Sequence, residues 1–207
     1  MKLWQQQLSE GLAEMELTVS SAQQEQLLNY LALLQKWNKK TNLTAIRNPD
    51  IMVSRQLLDS LSIQPYINQK KICDIGAGAG LPSIPLAIIN PDKHFTLIDS
   101  NNKKTRFMLQ AKFTLKLDNI EVLNQRVEDI QLKFDLVTSR AFANLLDIIK
   151  YERALLADNG AFLCMKGQLP IAEIKQLQED EHWQITTIEL KVPNETGLRN
   201  LVVIKAG

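Results

Sequence analysis

The sequence predicts an α/β protein: a mostly parallel sheet, an antiparallel strand pair at its end, and a helical segment in front. Three observations carry this. Apolar side chains in the first third recur at helical spacing. From Lys71 on, short apolar β-rich runs alternate with helical ones, the mark of βαβ units whose sheet is covered on both faces. The last two β-rich runs have no helix between them. With 207 residues, 45% of them hydrophobic and 23% charged, the chain suits one core with an appendage and excludes a disordered or fibrous protein. The boundary is expected near residue 66, dividing 1–66 from 67–207.

Residues 3–15 form the first helical candidate. In the second, Leu27, Tyr30 or Leu31, Leu34 and Trp37 make a packing stripe, preceded by a capping box at Ser20 and Gln23 or Ser21 and Gln24. A third, 51–62, follows Asn48-Pro49-Asp50, a natural helix start. Strands are expected at 71–75, 95–99, 120–124, 134–140 and 161–165, with helices at 83–89, 102–116, 144–157 and 170–178 between and after them. Strand-like runs at 185–192 and 200–205, joined by a Pro-Asn-Glu-Thr-Gly loop, complete the antiparallel pair.

Cys73 and Cys164 lie inside apolar strands and read as small core hydrophobes. With His94 and His182 they make four potential soft ligands at no mutual ligand spacing, so neither a zinc site nor a disulfide framework is expected. Lys2-Leu3-Trp4 runs straight into glutamines, unlike a signal peptide, and no apolar run is long enough to cross a bilayer. A cytoplasmic, reducing setting is the expectation.

The net charge of +1 hides an uneven distribution. Residues 1–35 carry −3, residues 36–55 carry +4, and residues 102–116 carry +5 with no acid at all. These basic stretches are either solvated helix faces or a surface for phosphates.

The most informative segment runs from Lys71 to Pro82. A buried strand ends in Asp74, and Gly76, Gly78 and Gly80 then lead into a helix with Pro82 in its early turn. A dinucleotide fingerprint needs glycine at 76, 78 and 81, but position 81 is Leu; a P-loop needs Gly-Lys-Ser/Thr, which is absent. Asp74 also repels a phosphate. A cationic ligand without phosphate suits the loop better, and S-adenosylmethionine, with a sulfonium and an ammonium, is such a ligand. Asp99 follows 23 residues after Gly76, where a βαβ unit places a carboxylate beside the ribose hydroxyls. Asp99 or Ser100 also reads as the N-cap of the next helix.

At this point the residues resemble a known family, essentially end to end: the bacterial glucose-inhibited division protein B family, small-subunit rRNA guanine-N7 methyltransferases. The stretches are Lys36-Trp-Asn-Lys-Lys-Thr-Asn-Leu-Thr, Leu58-Asp-Ser, Asp74-Ile-Gly-Ala-Gly-Ala-Gly-Leu-Pro with Ile84-Pro-Leu, Leu97-Ile-Asp-Ser, Arg126-Val-Glu, Ser139-Arg-Ala-Phe-Ala, Lys166-Gly and Arg199-Asn-Leu-Val-Val-Ile-Lys. The glycine loop is common to many methyltransferases; the tryptophan and Ser-Arg-Ala-Phe-Ala stretches are far more specific. The resemblance implies a Rossmann-like class I methyltransferase sheet over 67–207 and methyl transfer from S-adenosyl-L-methionine to guanine N7 in 16S rRNA. The substrate is expected within the 30S subunit or an assembly intermediate, with no metal and no membrane. Gln56 and Asn200 stand where the family usually has histidines and keep polar contacts there.

Carried over onto this chain, the resemblance has Gly76 and Leu81 line the cofactor, beside the Asp74, Gly78, Gly80 and Asp99 already read as the cofactor loop and its ribose acid. Val127 and Glu128 take the adenine end, and Arg140 the edge between cofactor and target, as the positioning residue of the reaction. Lys39, Lys40, Arg55, Lys103, Lys104, Lys166 and Arg199 become candidates for RNA phosphates. Neither histidine looks like a general base. Three rivals remain: a nicotinamide oxidoreductase, disfavoured by Leu81 and Asp74; a non-catalytic RNA-binding module, which leaves the glycine loop without purpose; and a methyltransferase of protein or small molecules.

Overall fold

Ser20 opens the long N-terminal helix with a complete capping box. Its side chain accepts from the Gln23 amide, and the Gln23 side chain accepts in return from the Ser20 amide. The computed structural model that shows this describes residues 2–140, 143–180 and 182–206. Helix α1 (Lys2–Glu14) precedes α2 (Ser21–Thr41), which ends at Asn42 in the left-handed conformation. Tyr30, Leu31 and Leu34 are buried along α2, and Trp37 meets Phe107 edge-on with centroids 5.7 Å apart.

Strands β1 (Lys71–Ile75), β2 (His94–Ile98), β3 (Ile120–Leu123), β4 (Phe134–Arg140), β5 (Leu156–Lys166), β6 (Trp183–Glu189) and β7 (Asn200–Ala206) form one sheet in the order β3-β2-β1-β4-β5-β7-β6. Pairing is parallel from β3 through to β5, and β7 runs antiparallel to both β5 and β6. The predicted sheet class, with its antiparallel end, is what forms. Helices α4 (Ser83–Ile89), α5 (Asn102–Leu115), α6 (Leu145–Glu152) and α7 (Ile171–Gln178) follow β1, β2, β4 and β5 and cover the faces. One apolar cluster runs from Leu8, Leu31 and Leu58 through Phe95 and Phe107 on one side of the sheet; a second, with Cys73, Phe162 and Trp183, fills the other. Burial pushes both thiols up, Cys164 to about 12 and Cys73 well above its ordinary value, so both are inert core groups.

Three expectations need correction. The helix expected at 51–62 is a 3₁₀ turn (Pro49–Ile51), a π-helical stretch (Val53–Leu58) and a single α turn, α3 (Asp59–Leu61). The wider π turn re-phases the side chains, and such turns concentrate at functional sites. The helix expected to reach 157 stops at Glu152, with a 3₁₀ turn (Arg153–Leu155) leading into a β5 longer than its apolar core. Asn101, rather than Asp99 or Ser100, caps α5: its side chain accepts from the Lys103 amide at 2.9 Å.

Candidate active site

The sheet order reverses between β1 and β4, and open α/β sheets bind ligands at the carboxyl edge of that switch point. The glycine loop leaves β1 at this edge, and Arg140 ends β4 beside it. Gly76, Gly78 and Gly80 take φ of 61°, 61° and 78°, in the left-handed region. Two of them serve different ends. A Cβ on Gly80 would lie 2.3 Å from Ile84 Cδ1, so that glycine lets α4 pack against the loop. A Cβ on Gly78 would meet only the Gly76 carbonyl oxygen at 3.7 Å, so the space in front of Gly78 is open. The Ala77 amide bonds the Ile98 carbonyl at 3.1 Å, and the Tyr30 hydroxyl donates to the Ala79 carbonyl at 2.7 Å. Helix α2 thus pins the loop from behind. Helical spacing made Tyr30 look like packing alone, and nothing in the sequence pointed to that bond.

Across the loop, Asp99 follows β2 and is buried. Its Oδ2 accepts from the Gly78 amide at 3.0 Å and from Lys104 Nζ at 3.3 Å; its Oδ1 accepts from the Asn101 amide at 2.8 Å. Two cavities meet at Gly76 and Lys104. One, of about 350 Å³, runs past Asp99 to Val127 and Glu128; the other, of about 330 Å³, runs along Gly78 and Leu81 to Arg140. The structure therefore brings Gly76, Gly78, Leu81, Asp99, Val127, Glu128 and Arg140 onto one crevice.

Asp74 and Gly80 are not on its walls. Gly80 faces α4, and Asp74 is sealed below the loop with neither carboxylate oxygen hydrogen-bonded. The Ser83 hydroxyl and amide are its nearest donors, and neither closes a bond of ordinary geometry. Burial dominates and raises this carboxyl to about 8, against the lowering pull of Ser83 and Arg140. The folded protein thus holds a proton on Asp74 between about pH 4 and 8 that the unfolded chain releases. Stability falls as pH rises through that window, by an amount on the order of a few kcal/mol. Asp74→Asn should flatten this part of the stability–pH curve, which urea titrations from pH 5 to about pH 8 will show.

Arg140 belongs to a buried polar chain that the sequence did not reveal. Its Nη1 donates to Asp59 Oδ2 at 2.9 Å and to the Arg55 carbonyl at 3.2 Å, and its Nη2 donates to Gln56 Oε1 at 2.9 Å. Gln56 in turn donates to the Thr44 hydroxyl at 2.8 Å. Arg199 Nε reaches the other oxygen of Asp59 at 2.9 Å, and its Nη2 reaches Glu195 at 3.0 Å; Arg55 Nε closes the series on Glu195 at 2.7 Å. Burial works to raise the Glu195 carboxyl, but Arg55 and Arg199 outweigh it and hold it below its ordinary range. Three arginines thus alternate with two carboxylates. Arg55 and Gln56 lie on the π turn and Asp59 directly after it, and all three meet Arg140 or the Arg199–Glu195 pair.

Of the seven candidate RNA contacts, Lys39, Lys40 and Lys103 are exposed. Arg55 and Arg199 are engaged in the arginine–carboxylate series, Lys104 pairs with Asp99, and Lys166 donates to the Ala143 carbonyl. Ser139 and Arg140 of the Ser-Arg-Ala-Phe-Ala stretch are placed as expected, while Ala141 and Phe142 lie outside the described residues. His94 and His182 precede or open strands at the edge opposite the crevice. No helix of the described residues is long and apolar enough to cross a membrane.

Comparison with known proteins agrees with this geometry. Solved structures that share the fold include a methyltransferase from Geobacter sulfurreducens, at TM-score 0.62 and 15% identity, covering 86% of this chain and 90% of that one. Magnesium protoporphyrin IX methyltransferase from Synechocystis, solved with bound SAM, matches at TM-score 0.61 and 18% identity over 86% of this chain and 97% of its own. At sequence level the chain is 50% identical over 204 residues to ribosomal RNA small subunit methyltransferase G of Marinobacter nauticus, covering 97% of this chain and 94% of the relative. The Shigella flexneri protein of the same name is 43% identical over 201 residues, covering 96% and 97%. The family model described as rRNA small subunit methyltransferase G matches residues 23–202, and the chain belongs to that family.

Proposed function

We propose that this protein transfers a methyl group from S-adenosylmethionine to N7 of a guanine in 16S rRNA, presented in the 30S subunit or a precursor of it. In this reading residues 67–207 carry the reaction, and residues 1–66 are a helical extension that adds basic surface. The observation that carries the reading is the open cradle at Gly78, flanked by Asp99 and Arg140 across the switch point.

The residues fit the cofactor. The unfilled space at Gly78 admits a ligand against the backbone. Asp99 keeps an unused lone pair for a ribose hydroxyl, and a second when Lys104, the longest of its three contacts, turns away. Val127 and Glu128 wall the adenine end. Asp74, behind the loop, is protonated below about pH 8 and adds a field that favours a cationic ligand only where it ionises. When bound, S-adenosylmethionine supplies an electrophilic sulfonium methyl: the N7 lone pair forms the new C–N bond as the C–S bond breaks, its electron pair staying on sulfur and the positive charge passing to the base. Guanine N7 has no proton to lose, so no side chain has to act as a base. What remains for the protein is alignment and exclusion of water, which entropy arguments make a large share of the acceleration. Arg140, held rigid by Asp59 and Gln56, is placed to orient the reacting edge, and guanine O6 beside N7 is the acceptor arginine recognises.

Incubation with methyl-labelled S-adenosylmethionine and unmethylated 30S particles, naked 16S rRNA or bulk protein, followed by nucleoside analysis, tests this. Label in 7-methylguanosine of the particle is expected; label in protein or in another nucleoside overturns it. Lys39 and Lys40 lie exposed at the end of α2. Replacing both with Ala should weaken particle binding and flatten the log–log salt dependence by about one to two, because each phosphate contact releases close to one counterion. Calorimetry should show cofactor affinity unchanged.

A further inference from the structure

Arg140 lines a second cavity besides the crevice. Beside its guanidinium lies a cavity of about 170 Å³ bounded by Met165, Leu190, Gly167 and Asn200. It sits at the same edge of the sheet: Arg140 pairs with Met165 across β4 and β5, and Lys166 pairs with Asn200 across β5 and β7. We infer that this cavity is the seat of the target base, turned out of its RNA stack. The inference rests on the reaction proposed above and extends it to where the acceptor lies.

Size, walls and charge all point to a neutral heterocycle. At about 30 Å³ per water, the cavity holds five or six waters, the scale of one planar base rather than a nucleotide. Met165 and Leu190, both buried, give it apolar walls suited to the two faces of a ring. A phosphate does not suit it. Of its three cations, Arg199 is committed to Asp59 and Glu195 and Lys166 to the Ala143 carbonyl, only Arg140 keeps free N–H groups, and Asp59 contributes a negative charge. An apolar slot with a few convergent polar groups is how small planar ligands are held, and enzymes that act on a base commonly take it out of the stack into such a pocket.

The polar groups select among bases. Arg140 commits three of its five N–H groups to Asp59, Gln56 and the Arg55 carbonyl. Its Nε–H and one Nη2–H have no partner among the described residues. Asn200 donates its amide N–H to the Gly167 carbonyl at 2.6 Å, which fixes the orientation of the group and leaves Oδ1 as an acceptor. Arg140, with free N–H donors, and Asn200, with a free acceptor, thus line the cavity from the strands on either side of β5. Guanine presents the complement, with O6 accepting and N1–H and the N2 amino group donating, whereas adenine presents a donor where guanine accepts. Asn200 is in this way a specificity residue, and Asp59 a positioning residue that fixes both Arg140 and Arg199.

Filling the cavity tests the assignment. Leu190→Trp and the smaller intrusion Leu190→Phe are compared with the parent protein in three assays: calorimetric S-adenosylmethionine binding, filter retention of unmethylated 30S particles, and single-turnover methylation of those particles. Thermal melting shows which variant is folded, and Phe keeps the test open if Trp does not fold. The expected result is a 100-fold or greater loss of the single-turnover rate with the Trp variant and a smaller loss with Phe. Cofactor and particle affinities should stay within twofold. A rate within threefold of the parent in a folded variant overturns the assignment. So does a parallel loss of cofactor affinity, which would make the cavity part of the cofactor crevice, or of particle affinity, which would make it backbone-contacting surface. Failure of the parent protein to methylate the particle is a different outcome and counts against the proposed function itself.

Discussion

Arg140→Ala is expected to lower single-turnover methylation by about 10²–10³-fold, the scale found when one preorganised donor is removed from a reacting site. Two properties set the size of the effect. The guanidinium lines both the crevice and the cavity beside it, so its loss disturbs two ligand positions at once. It is also held in one orientation by Asp59 Oδ2, Gln56 Oε1 and the Arg55 carbonyl. The fold should survive, because Asp59 keeps Arg199 at 2.9 Å and is not left as an unpaired buried charge. Three charge-assisted contacts are lost, each worth about 1.5–3 kcal/mol, so calorimetric scanning will register a clear fall in melting temperature. Arg140→Lys restores the charge without the planar fork, and should recover stability better than rate.

The second large effect separates two glycines that look alike in sequence. Gly78→Val should abolish measurable S-adenosylmethionine binding, a loss of about 100-fold or more and hence at least ~2.7 kcal/mol, in a protein that still folds. The backbone strain at φ 61° costs about 1–2 kcal/mol, and the new side chain has room only in the crevice. Gly80→Val should fail differently. Its Cβ at 2.3 Å from Ile84 Cδ1 forces α4 off the loop, so stability falls first and binding follows. Chemical denaturation and calorimetry on both variants distinguish the two roles.

That contrast shows what the sequence carries and what it does not. The sheet was legible because βαβ units write themselves as alternating apolar runs, and the antiparallel end because no helix separates its two strands. The crevice was legible for a similar reason: Gly76, Asp99 and Val127 lie just after successive strands, so topology alone brings them together. The network around Arg140 was not. Asp59 and Glu195 are far from residue 140 in sequence, and Asp59 directly follows a π turn that no apolar period announces. Charge counting does not show which bases are paired. Arg55 and Arg199 look like phosphate ligands in a list of bases, yet both are engaged by buried carboxylates, while Lys39, Lys40 and Lys103 stay exposed. The overlong helix before β5 has a simpler cause: residues 153–157 continue the apolar pattern, and the strand they enter takes over the pairing with β4.

In the proposed reaction the site aligns a lone pair and takes no proton. The rate of the methyl-transfer step, followed in a single turnover at saturating S-adenosylmethionine and saturating unmethylated 30S particle, tests it directly. Between about pH 6 and 8.5 the rate should be flat, because no histidine reaches the crevice and guanine N7 loses no proton; Asp74, whose carboxyl lies near 8 in the free protein, acts on cofactor affinity, which saturation removes. A rate that climbs through a single pKa near neutrality, and loses that climb when one specific side chain is replaced, would contradict the claim and point to an acceptor atom that carries a proton.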